Sequence, residues 1–402
     1  MKKNLIVGQS GGPTAVINGS LYGVVTEAMR HTEEIDEIYG MINGIEGFLN
    51  GHMMDMRSLI ETNELSLLRT TPGSYLGSCR YKLPEDLNDP VYPLLFNKFT
   101  SHGIGYFFYI GGNDSMDTVS KLSRYAKKIN SDIRFIGVPK TIDNDLVHTD
   151  HTPGFGSAAR YLAATVREVA EDVKSLPIHV CIIEALGRNA GWITAASVLA
   201  RRKKGDAPHL IYTPERPFKE EEFLTDVKKL YDKLGGVVVV VSEGLKKEDG
   251  TPVVDPIYKT DRAVYYGDVS AHLANLVIKR LGIKARNEKP GLCGRASIAW
   301  QSPVDCQEAQ LAGEKALEAA IKGHTGVMIG FKREKTEDGS YKIGIIEIPI
   351  EKVMLLEKTL PDEYINVRGN DITEEYIKWL QPLVGPKFEE FLDFKEYYKE
   401  KE

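Results

Sequence analysis

The chain has 402 residues, 42% of them hydrophobic and 27% charged, with a net charge of -6. That length allows two or three ordinary domains with a core in each, and the acidic balance gives no electrostatic reason to expect nucleic acid or an anionic membrane as partner. Four cysteines without metal-type spacing fit free thiols in a reducing cytosol, the first apolar run is too short for a signal peptide, and no run approaches the length of a membrane span.

Leu5 to Val7 predicts a short buried strand. Gly8 to Thr14 follows as a glycine-rich turn, then a helix through about Met29. Pro13 suits an early helical position, where a missing N–H costs nothing. A strand, glycine turn and helix form a phosphate cradle in open parallel sheets; at this segment a tight turn that binds nothing competes with that reading. It is not a Walker A loop, because the chain has no Gly-Lys dipeptide. Ile38 to Ile42 predicts the next strand and Asn43 to Gly47 a turn. Residues 70–80 read as a polar loop ending in Arg80. A guanidinium there can bind phosphate oxygens bidentately; the alternative is a solvated surface arginine.

Tyr106 to Ile110 predicts a buried strand. Gly111-Gly112 lets a backbone come close to a ligand, and Asp114-Ser115 opens an amphipathic helix, an anion site at the strand's carboxyl end. Phe135 to Val138 predicts a second buried strand that delivers Lys140, Asp143 and Asp145 to the same edge. A lysine, a glycine turn and two carboxylates converging there point to phosphate chemistry with a metal ion and a general base. Gly154 to Ala159 has the letters of a dinucleotide fingerprint, but it follows a loop instead of a strand, which argues against a nicotinamide enzyme. Small residues there suit a helix that starts close to the site.

Ile178 to Ile183 predicts a buried strand leading into Glu184 to Trp192. Strands at His209 to Thr213 and Val237 to Val241 flank a helix from Glu220 to Leu234 that ends at Gly235-Gly236. Glu243 follows the second of these strands. Arg286 and Arg295 follow further on. A helix from Asp305 to Lys322, strands at Val327–Phe331 and Ile343–Ile348, and a turn between them over Lys335–Ser340 complete the pattern. The Lys/Glu-rich last residues fit a solvated helix face.

These motifs resemble the phosphofructokinase family from Val7 to about Gly330. Gly111 to Ser115 is similar to its phosphoryl-donor loop and Pro139 to Asp145 to its catalytic loop. Asp114 and Lys140 match the pyrophosphate-using branch, where ATP-using members have glycine at both. The resemblance implies that Asp114 opposes an ATP α-phosphate and that Lys140 fills that space and meets a compact pyrophosphate; an Asp114–Lys140 ion pair that merely orders the loop is the competing reading. An aromatic residue that stacks on adenine in ATP-using relatives is replaced by Ile45.

The resemblance further implies Gly12 and Arg80 at the donor and Asp143 as the base that takes the hydroxyl proton. Asp145 and Thr141 would position that base, and Lys140 and Arg188 would offset phosphoryl charge. Leu186, Gly187, Arg188 and Glu243 would hold the sugar. Arg286 and Arg295 would hold its 6-phosphate, away from the reacting phosphorus. His179 stands where ATP-using members place an arginine that reaches a neighbouring subunit. Mg²⁺ is expected near Asn113.

Strands alternating with helices imply an α/β protein with mainly parallel sheets. The resemblance implies two similar three-layer domains. Residues 1–150 plus 295–355 would bind the donor, and 151–294 plus 356–402 the sugar phosphate. The expected reaction is reversible, Mg²⁺-dependent transfer from pyrophosphate to the 1-hydroxyl of fructose 6-phosphate, in a cytoplasmic homodimer or homotetramer. An ATP-dependent phosphofructokinase is the alternative.

Overall fold

The protein is described by a computed structural model covering residues 2–259 and 264–393. The Lys/Glu-rich end expected as a helix face falls at 394–402, outside the described residues.

Two main sheets carry the chain. The first has seven strands in the order β13-β12-β5-β4-β1-β2-β3. These are β1 Lys3–Gln9, β2 Ile35–Met41, β3 Met53–Asp55, β4 Ile104–Gly111, β5 Arg134–Pro139, β12 Val327–Arg333 and β13 Ile343–Pro349. The inner strands run parallel, and β3 and β13 close the edges antiparallel. The second sheet has four parallel strands in the order β11-β6-β8-β7. They are β6 Val180–Ala185, β7 Leu210–Tyr212, β8 Val237–Ser242 and β11 Ala285–Glu288. A small ribbon, β9 Pro256–Lys259 with β10 Val264–Tyr266, stands apart from both.

The central strands of each sheet are buried on both faces, which is why β1, β4, β5, β6 and β8 read as continuous apolar runs instead of alternating ones. Leu5, Val7, Phe108 and Ile110 point into one core, while Ile6, Phe107, Tyr109 and Phe135 point into another. In the second sheet Ile183 and Val240 face one core, and Ile182 and Val239 the other. Both sheets are therefore the middle of three layers, as in the α/β fold expected from the sequence.

Several boundaries differ from expectation. The first helix spans Ile17–Ala28, so Pro13 lies in the loop before it and not in its first turn. Asn43 and Gly44 take left-handed φ values of 56° and 58° and lead into a short helix, Gly44–Leu49, where a turn was expected. The helix Glu220–Leu234 ends on Gly235 in the left-handed region, as its glycine pair predicts. The helix expected from Asp305 begins at Pro303, with the Ser302 hydroxyl accepting from the Asp305 N–H.

This topology fixes where a ligand can sit. β1 lies between β2 and β4, so the chain's winding reverses there, and a crevice opens at their carboxyl ends. In the second sheet β6 lies between β8 and β11 and makes the corresponding reversal.

Candidate active site

The glycine turn after β1 and the loops after β4 and β5 meet at the first crevice. The Ser10 N–H donates to the Ile110 carbonyl at 2.9 Å, and the Lys140 N–H to the Gly111 carbonyl at 3.0 Å. Lys140 is 3% exposed, and its ammonium donates to the Gly12 carbonyl at 2.6 Å. Gly11 has φ +76°, and a Cβ there would stand 3.4 Å from Lys140 Nζ. Glycine at this position thus leaves room for both the turn and the lysine.

Burial pulls the Lys140 pKa down to about 8; Asp143 and Asp145 oppose that pull, while Arg295 and Arg80 add to it. Lys140, Arg80 and Arg295 therefore share one electropositive place. Arg80 is exposed, on the loop expected for it.

Asp114 is different. It lies in the first turn of the helix Asn113–Lys128, where a carboxylate complements the helix dipole. Its side chain is 68% exposed and pairs with Lys82 at 3.2 Å. The Asp114 carboxylate and the Lys140 ammonium thus have separate partners, and the loop is not ordered by an ion pair between them. The cleft around Asp114 is also wetter than the dry setting in which like charges repel strongly.

The catalytic-loop candidates sit one step deeper. The Asp143 N–H donates to the Thr141 hydroxyl at 3.1 Å, and Thr152 Oγ1 donates to the Thr141 carbonyl at 2.9 Å. Burial raises the Asp143 pKa to about 7, with Asp145 and Glu243 adding to the rise and Lys140 opposing it. A carboxyl poised near neutrality is what a general base requires. Asp145 is also raised, first by burial. Its Oδ2 accepts from Asn113 Nδ2 at 3.2 Å. Asn113 Oδ1 and Asp145 Oδ1 are both buried with no protein partner, so each of these two linked side chains keeps one hard oxygen unsatisfied.

The sugar-side candidates come from the second sheet. Gly187 follows β6 with φ +111°, and its N–H donates to Glu243 Oε1 at 3.3 Å. Ser242 Oγ donates to the Gly187 carbonyl at 2.7 Å. A Cβ on Gly187 would lie 3.9 Å from Asp143 Oδ1, so the loops of the two sheets meet here. Leu186 lines a small cavity with Tyr161, Glu184 and Gly294. Arg188 is exposed, donates to the Val264 carbonyl at 3.3 Å and stacks over Tyr266 with its Cζ 5.5 Å from the ring centre, which ties it to the β9–β10 ribbon.

The two phosphate-binding candidates part company. Arg295, on the short helix Cys293–Ala296, stands against the donor turn: a Cβ on Gly12 would lie 3.0 Å from its Nη1. It is beside the glycine turn, where the sequence had it at the far phosphate. Arg286 pairs in register with Cys181 near the start of β6, away from the carboxyl ends, and its charge acts on His179. Within this chain the structure does not bring Arg286 to Asp143 and Lys140.

Other residues carry no motif and were missed. Lys358 Nζ donates to the Thr149 and Asp150 carbonyls at 3.0 and 2.9 Å. Asp305 accepts from the N–H groups of Gly154 and Ser157 at 2.8 and 2.9 Å, capping the helix Phe155–Ser175. The one signal for Asp305 was the small-residue run at 154–159, which leaves helix N–H groups open to a partner. For Lys358 the sequence offered none.

Residues 4–320 match the family described as Phosphofructokinase. A protein of Rhodospirillum rubrum named pyrophosphate–fructose 6-phosphate 1-phosphotransferase is 38% identical over 394 residues, 96% of this chain and 95% of that one. A sulfofructose kinase of Alkalicoccus urumqiensis is 33% identical over 382 residues, 94% of each chain. A solved structure titled as a pyrophosphate-dependent phosphofructokinase from Marinobacter aquaeolei superposes with a TM-score of 0.86 at 38% identity, covering 97% of this chain and 94% of that one.

Proposed function

This chain belongs to the phosphofructokinase family, and we propose from that premise that the crevice between its two sheets transfers a phosphoryl group from pyrophosphate to fructose 6-phosphate. The protein is a pyrophosphate-dependent phosphofructokinase. It forms fructose 1,6-bisphosphate and phosphate, and the reaction runs in both directions.

The observation that carries the donor assignment is the Lys140 ammonium, buried against the Gly12 carbonyl. A long side chain there occupies space that a nucleotide needs, and its charge faces a compact anion. Asp143 takes the proton of the 1-hydroxyl as that oxygen attacks phosphorus. The O–P bond to the leaving phosphate breaks as the new one forms. Thr141 and Asp145 hold the loop and the hydroxyl in line. Lys140, Arg80 and Arg188 offset charge on the phosphoryl oxygens, where preorganised cations contribute most. Gly12 and Asp114 border the donor. Leu186, Gly187 and Glu243 contact the sugar. Arg295 lies between the donor turn and the sugar, and Arg286 is assigned to the 6-phosphate on its motif alone.

Phosphotransferases of this family normally need a divalent metal, and we assign Mg²⁺. Among the described residues no three His, Cys, Asp or Glu side chains gather into a metal cage. Asn113 Oδ1 and Asp145 Oδ1, each buried without a protein partner on two side chains linked to one another, would be the oxygens to hold a hard cation. Bound there, the ion would supply positive charge to the phosphoryl donor.

We assign the donor domain to residues 1–150 plus 295–355 and the sugar domain to 151–294 plus 356–402; the membership of the two sheets supports that division. We further propose a cytoplasmic homodimer or homotetramer. No helix among the described residues is long and apolar enough to cross a membrane. The reaction is tested in both directions: fructose 6-phosphate with pyrophosphate should give the bisphosphate, and the bisphosphate with phosphate should give pyrophosphate. No pyrophosphate from the reverse mixture would sink the reading.

A further inference from the structure

The segment 357–360 lies beyond the residues that match the family, yet it touches both halves of the site. Toward the first sheet, the Lys358 N–H donates to the Asp145 carbonyl at 2.7 Å. Its ammonium reaches Asn144 Oδ1 at 3.3 Å besides the Thr149 and Asp150 carbonyls. Three acceptors on one loop thus converge on three ammonium protons. Toward the second sheet, the Glu357 carboxylate accepts from Asn189 Nδ2 at 3.1 Å. Trp192 Nε1 donates to the Lys358 carbonyl at 3.0 Å, and Lys358 Nζ stands 5.0 Å from the centre of the Trp192 ring. Glu215 Oε1 accepts from both the Leu360 and Gly191 N–H groups, at 2.9 and 2.7 Å.

We propose that Lys358 is a positioning residue for phosphoryl transfer, and that segment 357–360 straps the loop carrying Asp143 and Asp145 to the loop carrying Gly187 and Arg188. The inference rests on the phosphotransferase reading of the same site. Asp143 belongs to one sheet and the sugar loop to the other, so their separation depends on whatever joins the loops. Asn144 adopts φ 52° between the two carboxylates, a left-handed turn that asparagine accepts and that outside support can fix in place. The Lys358 ammonium supplies that support from behind, without touching substrate. A half-buried cation of this kind holds its acceptors at fixed distances, because leaving them unpaired is costly.

The test is steady-state kinetics on Lys358→Met, Lys358→Arg and Asn189→Ala, with melting temperature and folded fraction measured alongside. A displacement of about 1 Å in a catalytic group costs about 100-fold, so Lys358→Met should lower kcat per folded enzyme by about 10- to 100-fold. Its KM values should stay within about twofold, because no contact with substrate is removed. Lys358→Arg should recover part of that loss. A purely structural lysine would shift the melting temperature and leave kcat per folded enzyme unchanged, and that result overturns the proposal. Should Lys358→Met not fold, Asn189→Ala decides, since Asn189 is exposed. It should lower kcat by about threefold through the loosened strap, and an unchanged kcat overturns the proposal equally. Wild-type turnover of pyrophosphate in the same series separates the two claims. Its absence removes the phosphotransferase reading, whereas its presence with unaltered variants removes the strap alone.

Discussion

The donor half and the sugar half of the crevice are built by the same kind of parallel sheet, yet they differ in how they are held. On the donor side the loops after β1, β4 and β5 hydrogen-bond to one another, and Lys140 is locked among them. On the sugar side Gly187 and Glu243 are linked, but Arg188 is exposed and leans on the β9–β10 ribbon, and Arg286 lies elsewhere on the sheet. A half whose groups already stand in place stabilises charge without reorganisation. The arginines Arg188 and Arg286, like Arg80 on the donor side, are exposed, and these are the groups that substrate must still gather. Donor chemistry should therefore be sensitive to small changes in the loops, and sugar affinity to losses of single side chains.

The largest effect should come where the halves meet. Asp143→Ser should cut turnover by about 10²- to 10⁴-fold and leave fructose 6-phosphate binding nearly intact. Calorimetric titration with the sugar phosphate checks the second part. Loss of sugar affinity without loss of turnover would move Asp143 to the binding side.

Donor selectivity sharpens the comparison next. Asp114 is solvated and paired with Lys82, while Lys140 is buried. Lys140→Gly should therefore lose more pyrophosphate activity than Asp114→Gly, and the double change should gain measurable ATP turnover. That gain stays small, since Ile45 is fully buried and offers no ring for adenine. Equal losses from the two single changes would mean that the carboxylate matters as much as the locked lysine.

The pH profile tests whether the two groups work as a poised pair. Asp143 must be deprotonated to act as base, so kcat/KM should fall as pH drops through about 7. Lys140 must keep its proton to offset charge, so kcat/KM should fall again as pH rises through about 8. The result is a narrow bell, and Lys140→Arg should remove its alkaline limb.

The smallest effects concern the arginines. Arg295→Ala should raise KM for fructose 6-phosphate by about tenfold, the cost of one lost charge-assisted bond. Because its guanidinium stands against Gly12, KM for pyrophosphate should rise as well. An unchanged pyrophosphate KM would return Arg295 wholly to the sugar.

Much of this was legible in the sequence, for a physical reason. Gly11, Gly112, Lys140 and Asp143 follow strands directly, so a strand's end fixes where they point. The apolar runs of β1, β4, β5, β6 and β8 are continuous because both sheet faces are covered. The place of Arg295 beside the glycine turn was not legible, because its segment is a short helix with no strand to aim it. Lys358 was invisible because its role depends on carbonyls some two hundred residues earlier. Pro13 satisfied a helix-start rule that the turn ahead of Ile17 overrode.

The central claim is that this crevice takes pyrophosphate as donor. Its most direct test is bisphosphate formation by the wild-type protein, with pyrophosphate and ATP compared side by side at equal fructose 6-phosphate and Mg²⁺. The account predicts a kcat/KM for pyrophosphate far above that for ATP. A preference for ATP would contradict it, and would leave the fold and the role of Asp143 standing without the donor.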